Sequence, residues 1–148
     1  MDAYCGIGLT SLISARTARR VIGVEVVPDA IKTARETASR NGITNTEFLV
    51  GACEDVLPRL VLDGLRPDVV FVDPPRAGCE EPFLRAVCDA EVPKIVYISC
   101  NPATLARDMR FLAQNGYAAD KVHFADMFCQ TKHIESVVLL ERNGSRNG

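Results

Sequence analysis

Cys100 is the residue of this chain best placed to act as a nucleophile. It closes an apolar run, KIVYISC at 94–100, and is followed by Asn101 and Pro102. Asn is a favoured helix N-cap and Pro a favoured first helical residue, so a helix is predicted to begin directly after the thiol. The free N–H groups and the dipole of that helix start favour an anion. A free thiol with a pKa near 8.5 is only about 3% thiolate at neutral pH, and the thiolate is the reactive form. A second group suited to proton transfer lies in TKHIESVVLL at 131–140. Glu135 opens an otherwise apolar segment there, and a carboxylate is costly to bury without a purpose. His133 stands two residues earlier, so on an extended chain the two side chains face the same way. Asp73 ends another apolar run, PDVVFVDPP at 67–75, before two prolines that cannot continue a ladder. A ligand contact is expected of it. An exposed strand start for Glu135 and a turn cap for Asp73 are the structural alternatives.

A different kind of chemistry is suggested near the start of the chain. Gly6-Ile7-Gly8 follows Asp2, and glycine lets a backbone pass close to a ligand. Glu25 follows the next apolar run and can accept hydrogen bonds from both ribose hydroxyls of an adenosine. The pair fits a nucleotide cofactor, either a dinucleotide or S-adenosylmethionine. The dinucleotide fingerprint G-x-G-x-x-G has a third glycine, and Ser11 stands in that place.

Alternating strands and helices must position these groups. Strands are predicted at 19–27, 46–51, 67–75 and 94–100, with helices at 28–42, 53–62, about 80–90 and 102–116. The helix at 28–42 carries Pro28 in its first turn, Ala30, Ile31, Ala34 and Ala38 on one stripe, and Asn41-Gly42 as a stop. The end of the chain lacks a helical period and reads as two strands, near 119–125 and 134–141, joined by a loop at 126–133. Such alternation means a parallel sheet covered on both faces. Ligands in such sheets bind beyond the carboxyl ends of the strands, where all the residues above are expected to gather.

Composition narrows the classes. The 148 residues are 47% hydrophobic and 24% charged, which excludes a disordered, collagenous or coiled-coil chain. Seventeen basic and nineteen acidic residues leave a net charge of −2, so the chain cannot hold nucleic acid by bulk charge alone. Arg16, Arg19 and Arg20, and separately Arg107 and Arg110, read as solvated helix faces. No apolar run approaches the roughly eighteen residues of a membrane span, and no leader is evident. A cytoplasmic protein is expected. The remaining cysteines, Cys5, Cys53, Cys79, Cys88 and Cys129, are expected to be reduced and mostly buried. No pair of them is spaced C-x-x-C, so no metal site is predicted.

Together these segments resemble the RNA uracil-C5 methyltransferase family, bacterial enzymes that make 5-methyluridine using S-adenosylmethionine. DAYCGIG is similar to the family's first cofactor motif, DPPRAG to its fourth, SCNPATLARD to its nucleophile motif and HIESVVLL to its C-terminal base motif. The likeness spans nearly the whole chain, in the family's order. It implies a Rossmann-like α/β fold of the class I S-adenosylmethionine-dependent methyltransferases, with a mostly parallel seven-stranded sheet and helices on both faces. By resemblance Cys100 is the nucleophile and Glu135 the general base. Tyr4, Gly6, Gly8, Glu25 and Asp73 would bind the cofactor, and Asp73, Arg76, Asn101 and His133 the target nucleotide. The stretch DMFCQTKHIES at 126–136 is closer to members acting on 23S ribosomal RNA than to those acting on tRNA, although Cys129 stands where many relatives have proline.

The implied chemistry needs these groups. C5 of uracil is a poor nucleophile. A thiolate adding to C6 makes an enolate with negative charge on C5, which can then take a methyl group from a sulfonium. The adduct must next lose its C5 proton to a base and expel the cysteine. The base must be unstacked to reach the site. Family members carry hundreds of residues upstream, among them an RNA-binding domain, a cofactor-contacting glutamine and, in some, cysteines for an iron–sulfur cluster. Residues 1–142 are therefore expected to be a catalytic domain cut from a longer enzyme, weak or inactive alone. Its first strand would be reduced to about four residues, and 143–148 would form a tail. The competing readings are an inactive cofactor-binding fragment, a tRNA enzyme, and an amino-group methyltransferase. That last class usually has an aromatic residue after Asp-Pro-Pro, where this chain has Arg76.

Overall fold

The computed structural model describes residues 1–125 and 135–144. Strands and helices alternate in the order β1 (Asp2–Ala3), α1 (Leu9–Ser14), β2 (Val21–Glu25), α2 (Pro28–Arg40), β3 (Thr46–Val50), α3 (Cys53–Leu62), β4 (Val69–Val72), α4 (Glu81–Asp89), β5 (Lys94–Ser99), α5 (Pro102–Gln114), β6 (Tyr117–Ala125) and β7 (Glu135–Arg142). Among the described residues the seven strands form one sheet in the order β3-β2-β1-β4-β5-β7-β6. The first five are parallel, and β7 runs antiparallel between β5 and β6. Two buried clusters cover the sheet. Ile31, Ala34 and Ala38 of α2 pack with Phe48 and Leu12 in one. Residues of α3, α4 and α5, among them Leu57, Phe83 and Leu112, pack in the other. This is the α/β, Rossmann-like arrangement the sequence predicts. No described helix is long and apolar enough to cross a membrane.

The local signals act where expected. Pro28 opens α2, and Gly42 takes a positive φ of 66° just past its end. Two strands differ from expectation. The one predicted near 119 begins at Tyr117, because the Tyr117 side chain is buried and its hydroxyl donates to the Val92 carbonyl at 2.8 Å. The first strand has two residues rather than about four. It ends where Tyr4 adopts φ 60°, a left-handed conformation no strand can hold. Short as it is, β1 pairs on both sides, Asp2 with Gly23 and Phe71, Ala3 with Val24 and Val72.

Ser11, in the place of the missing third glycine, packs closely all the same. It is fully buried, and its hydroxyl donates to Asp2 Oδ2 at 2.6 Å. The room comes from the strand instead of the helix: a Cβ on Gly23 would stand 2.9 Å from Ser11 Oγ and 2.7 Å from the Phe48 ring.

Candidate active site

The carboxyl ends of β1, β2, β4 and β5 lie along one edge of the sheet, and the antiparallel β7 starts from that edge. The β5–β7 ladder pairs Lys94 with Glu141 and runs to Ser99 with Ser136. Cys100 directly follows the last residue of β5 in this ladder, and Glu135 directly precedes the last residue of β7 in it. Opposed residues of antiparallel strands have Cα atoms about 5 Å apart, so the Ser99–Ser136 pair leaves the predicted nucleophile and base each one residue beyond the same end of the ladder. On the other flank β4 pairs with β5, ending at Val72 with Tyr97, which puts Asp73 beside the same strand end.

Electrostatics tie the two carboxylates to one site. Burial pushes the Glu135 carboxyl pKa upward, and the negative charge of Asp73 adds to the shift. Asp73 is itself raised by desolvation from the protein around it, although its tip reaches solvent. A carboxylate held toward its protonated form is a better proton acceptor than a free one once ionised.

Asn101 does two jobs with one side chain. Its carbonyl oxygen accepts from the Ala103 N–H at 3.1 Å and caps α5, while its amide donates to the Arg76 carbonyl at 3.0 Å. The Asn101 side chain thus ties the residue after Cys100 to the segment after Asp73. Thr104 reinforces it, donating toward the carbonyls of Arg76 and Asn101 at 3.3 and 3.1 Å. Arg107 is exposed, as a solvated helix face implies, and it also makes specific contacts. Its guanidinium donates to the carbonyls of Ala77 and Cys79 at 3.0 and 3.1 Å and pairs with Asp108 at 2.8 Å. His133 lies outside the described residues, as does Cys129.

At the other end of the edge, the Gly6 N–H donates to Glu25 Oε2 at 3.1 Å and the Val27 N–H to Oε1 at 3.0 Å. A carboxylate offers about four lone-pair sites, so Glu25 retains acceptors for hydroxyl donors. A Cβ on Gly6 would meet nothing within 4 Å, which leaves the backbone open to a ligand beside that carboxylate. Gly8 is different. A Cβ there would stand 2.9 Å from both Ala34 and Phe48, so this glycine serves the packing of α1 on the sheet. Tyr4 turns inward: its ring lies 5.6 Å from that of Phe83. Its backbone N–H, facing Cys53 Sγ at 3.3 Å, holds the left-handed turn into the glycine segment.

Burial sets four other thiols apart from this site. It pushes the pKa values of Cys5, Cys53 and Cys79 up to about 12 and that of Cys88 to about 11. At pH 8 a thiol with a pKa of 12 is ionised in roughly one molecule in ten thousand. Iodoacetamide at pH 8 is therefore expected to leave these four unmodified in the folded chain for hours, as read by peptide mass spectrometry. Rapid labelling of Cys53 or Cys79 would contradict the packing described.

Comparison with known proteins adds the family context. A sequence profile of the tRNA (uracil-5-)-methyltransferases matches residues 1–143. An uncharacterized RNA methyltransferase of Clostridium acetobutylicum is 48% identical over 141 residues, 95% of this chain and 31% of that protein. One from Halalkalibacterium halodurans is 50% identical over 141 residues, again 95% and 31%. The chain thus spans about a third of the length of these relatives. The crystal structure of the Pyrococcus abyssi tRNA (uracil-54, C5)-methyltransferase with S-adenosyl-L-homocysteine superposes with a TM-score of 0.81 at 34% identity, over 94% of this chain and 33% of that one.

Proposed function

The chain belongs to the tRNA (uracil-5-)-methyltransferase family, and on that premise we propose that it methylates C5 of a uridine in RNA through a covalent bond between Cys100 and C6. The observation that carries the reading is the β5–β7 ladder, whose last pair, Ser99 with Ser136, leaves Cys100 and Glu135 each one residue beyond it. One nucleophile and one base must reach adjacent atoms of the same ring, C6 and C5, and residues at the same end of two paired strands meet that demand.

S-adenosylmethionine, when bound, supplies the methyl group on a sulfonium. The open backbone at Gly6 and the spare acceptors of Glu25 fit its ribose hydroxyls. Cys100 forms the S–C6 bond, and the electron pair of the C5–C6 double bond moves onto C5 and O4. After methylation at C5, Glu135 takes the C5 proton. The electrons of that C–H bond restore the double bond as the S–C6 bond breaks, and Cys100 leaves as thiolate. Burial first, and then the charge of Asp73, raise the pKa of this base.

The Glu25 role predicts a binding change. Two charge-assisted hydrogen bonds are worth about 1.5–3 kcal/mol each, so Glu25→Ala is expected to weaken S-adenosylmethionine at least tenfold by calorimetry. An unchanged Kd would move the cofactor elsewhere.

Within this class we take 23S ribosomal RNA as the substrate, on the likeness of residues 126–136. A net charge of −2 gives little long-range attraction for RNA, so the 148 residues by themselves are expected to turn over slowly and to need high RNA concentrations. The test is tritium release from RNA carrying 5-tritiated uridine, with 23S fragments and tRNA compared. Release stoichiometric with methyl transfer supports attack at C5. Methyl transfer without tritium release points to an amino or ribose acceptor and overturns the reading, while release from tRNA alone overturns only the choice of RNA.

A further inference from the structure

Asp108 is 1% exposed, yet it is an acid in the middle of α5 and faces no solvent. Its carboxylate accepts three hydrogen bonds. The Cys79 N–H reaches Oδ2 at 2.8 Å, the Tyr97 hydroxyl reaches the same oxygen at 2.6 Å, and Arg107 Nε reaches Oδ1 at 2.8 Å. These three donors come from three different places: the end of the loop that follows Asp73, the strand that leads to Cys100, and the helix that Asn101 caps. The chain of contacts goes further. The Cys79 thiol faces the Tyr97 hydroxyl at 3.5 Å. Gly78 closes the arrangement, with φ 79° and a virtual Cβ 2.6 Å from Arg107 and 2.7 Å from Asp108. No larger residue fits between that loop and the helix.

We propose that Asp108 is a positioning residue for the reaction: it locks the segment from Arg76 to Cys79 onto α5 and β5, and so fixes Asp73 and Arg76 relative to Cys100. The proposal rests on the uridine-methylation reading. Asp108 touches neither substrate nor cofactor. Its effect passes through backbone geometry, since Arg107, Thr104 and Asn101 bind the carbonyls of the same segment that Asp108 holds by its N–H. A buried carboxylate is required because one acceptor group must serve an N–H, an O–H and a guanidinium at once. Asparagine can accept only on its oxygen and places an NH₂ against donors.

A displacement of about 1 Å at a reacting group can cost 10²-fold in rate. In the full 148-residue chain, Asp108→Asn and the milder Tyr97→Phe are expected to slow single-turnover adduct formation with 5-fluorouridine RNA by about 100-fold and 10-fold per folded molecule. S-adenosylmethionine affinity, set at Glu25 on β2, is expected to stay within about threefold by calorimetry. Amide exchange at 76–79 should accelerate in both variants. Unchanged rates per folded molecule would overturn the positioning role, and so would unchanged exchange at 76–79. Wild-type chain that binds cofactor but forms no adduct even at saturating RNA and long incubation would instead overturn the uridine reading, and with it any reaction for Asp108 to position.

Discussion

Cys100→Ala is expected to abolish methyl transfer to uridine, lowering the rate by at least about 10⁴-fold, with cofactor affinity and melting temperature nearly unchanged. The size follows from the chemistry. C5 carries no usable negative charge until a nucleophile has added to C6, so without the thiol there is no slower version of the same path. Losses of this order accompany removal of the nucleophile in other covalent enzymes. The stability expectation follows from the surroundings. The turn after β5 is held by Ser99, whose hydroxyl bonds the N–H and carbonyl of Asn101 at 3.1 Å, and by Asn101 itself as the cap of α5. Cys100 takes no part in those bonds. Retained transfer in Cys100→Ala, measured with labelled S-adenosylmethionine, would refute the nucleophile assignment.

Glu135→Gln is expected to stop the reaction one step later. Glutamine keeps the shape but cannot accept the C5 proton, so the thiol adds, the methyl arrives and the adduct cannot resolve. Turnover should fall by about 10²–10⁴-fold, the range for a lost general base. Unlike Cys100→Ala, this variant should accumulate protein–RNA adduct on ordinary uridine RNA, visible as a band shift in denaturing gels. Loss of turnover without accumulated adduct would place the base elsewhere. The pH dependence has a definite sign. Only ionised Glu135 accepts a proton, so the rate rises with pH through its pKa. Burial first and then the charge of Asp73 raise that pKa. Removing the charge by Asp73→Asn lowers it, so the acid limb of the kcat profile should move to lower pH even as the loss of Asp73 reduces the rate. A limb that stays in place would show that the two carboxylates are uncoupled.

The parts of this site that were readable in the sequence are those fixed by local chemistry. Asn101-Pro102 announces a helix start, so Cys100 could be placed at a strand–helix junction before any coordinates. Gly42 could be read as a helix stop because its positive φ belongs to a short stretch of backbone. The two terminal strands could be read from their apolar content, but not the insertion of β7 between β5 and β6, which depends on pairing across the sheet. That insertion is what brings the start of β7, with Glu135, to the end of β5, next to Cys100 in sequence, so the nearness had no local signature. Asp108 and Arg107 were hidden for a related reason. On a helix of mixed polarity an Arg-Asp pair looks like solvated surface; Arg107 does stay exposed, and only the segment at 76–79 packed against α5 buries Asp108. Gly8 shows the converse: a glycine in a ligand-type motif whose small size serves Ala34 and Phe48. Tyr4 was singled out only by its motif; its left-handed backbone had no signal, since a bulky residue seldom takes a positive φ.

The covalent bond itself is the most direct test. The chain is incubated with S-adenosylmethionine and RNA carrying 5-fluorouridine, whose C5 fluorine cannot be removed as a proton is, then digested with protease and nuclease and analysed by mass spectrometry. The account predicts a peptide containing Cys100 that carries one methylated 5-fluorouridine nucleotide, absent from Cys100→Ala. A nucleotide attached to any other residue, or the same trapped complex formed by Cys100→Ala, would contradict it.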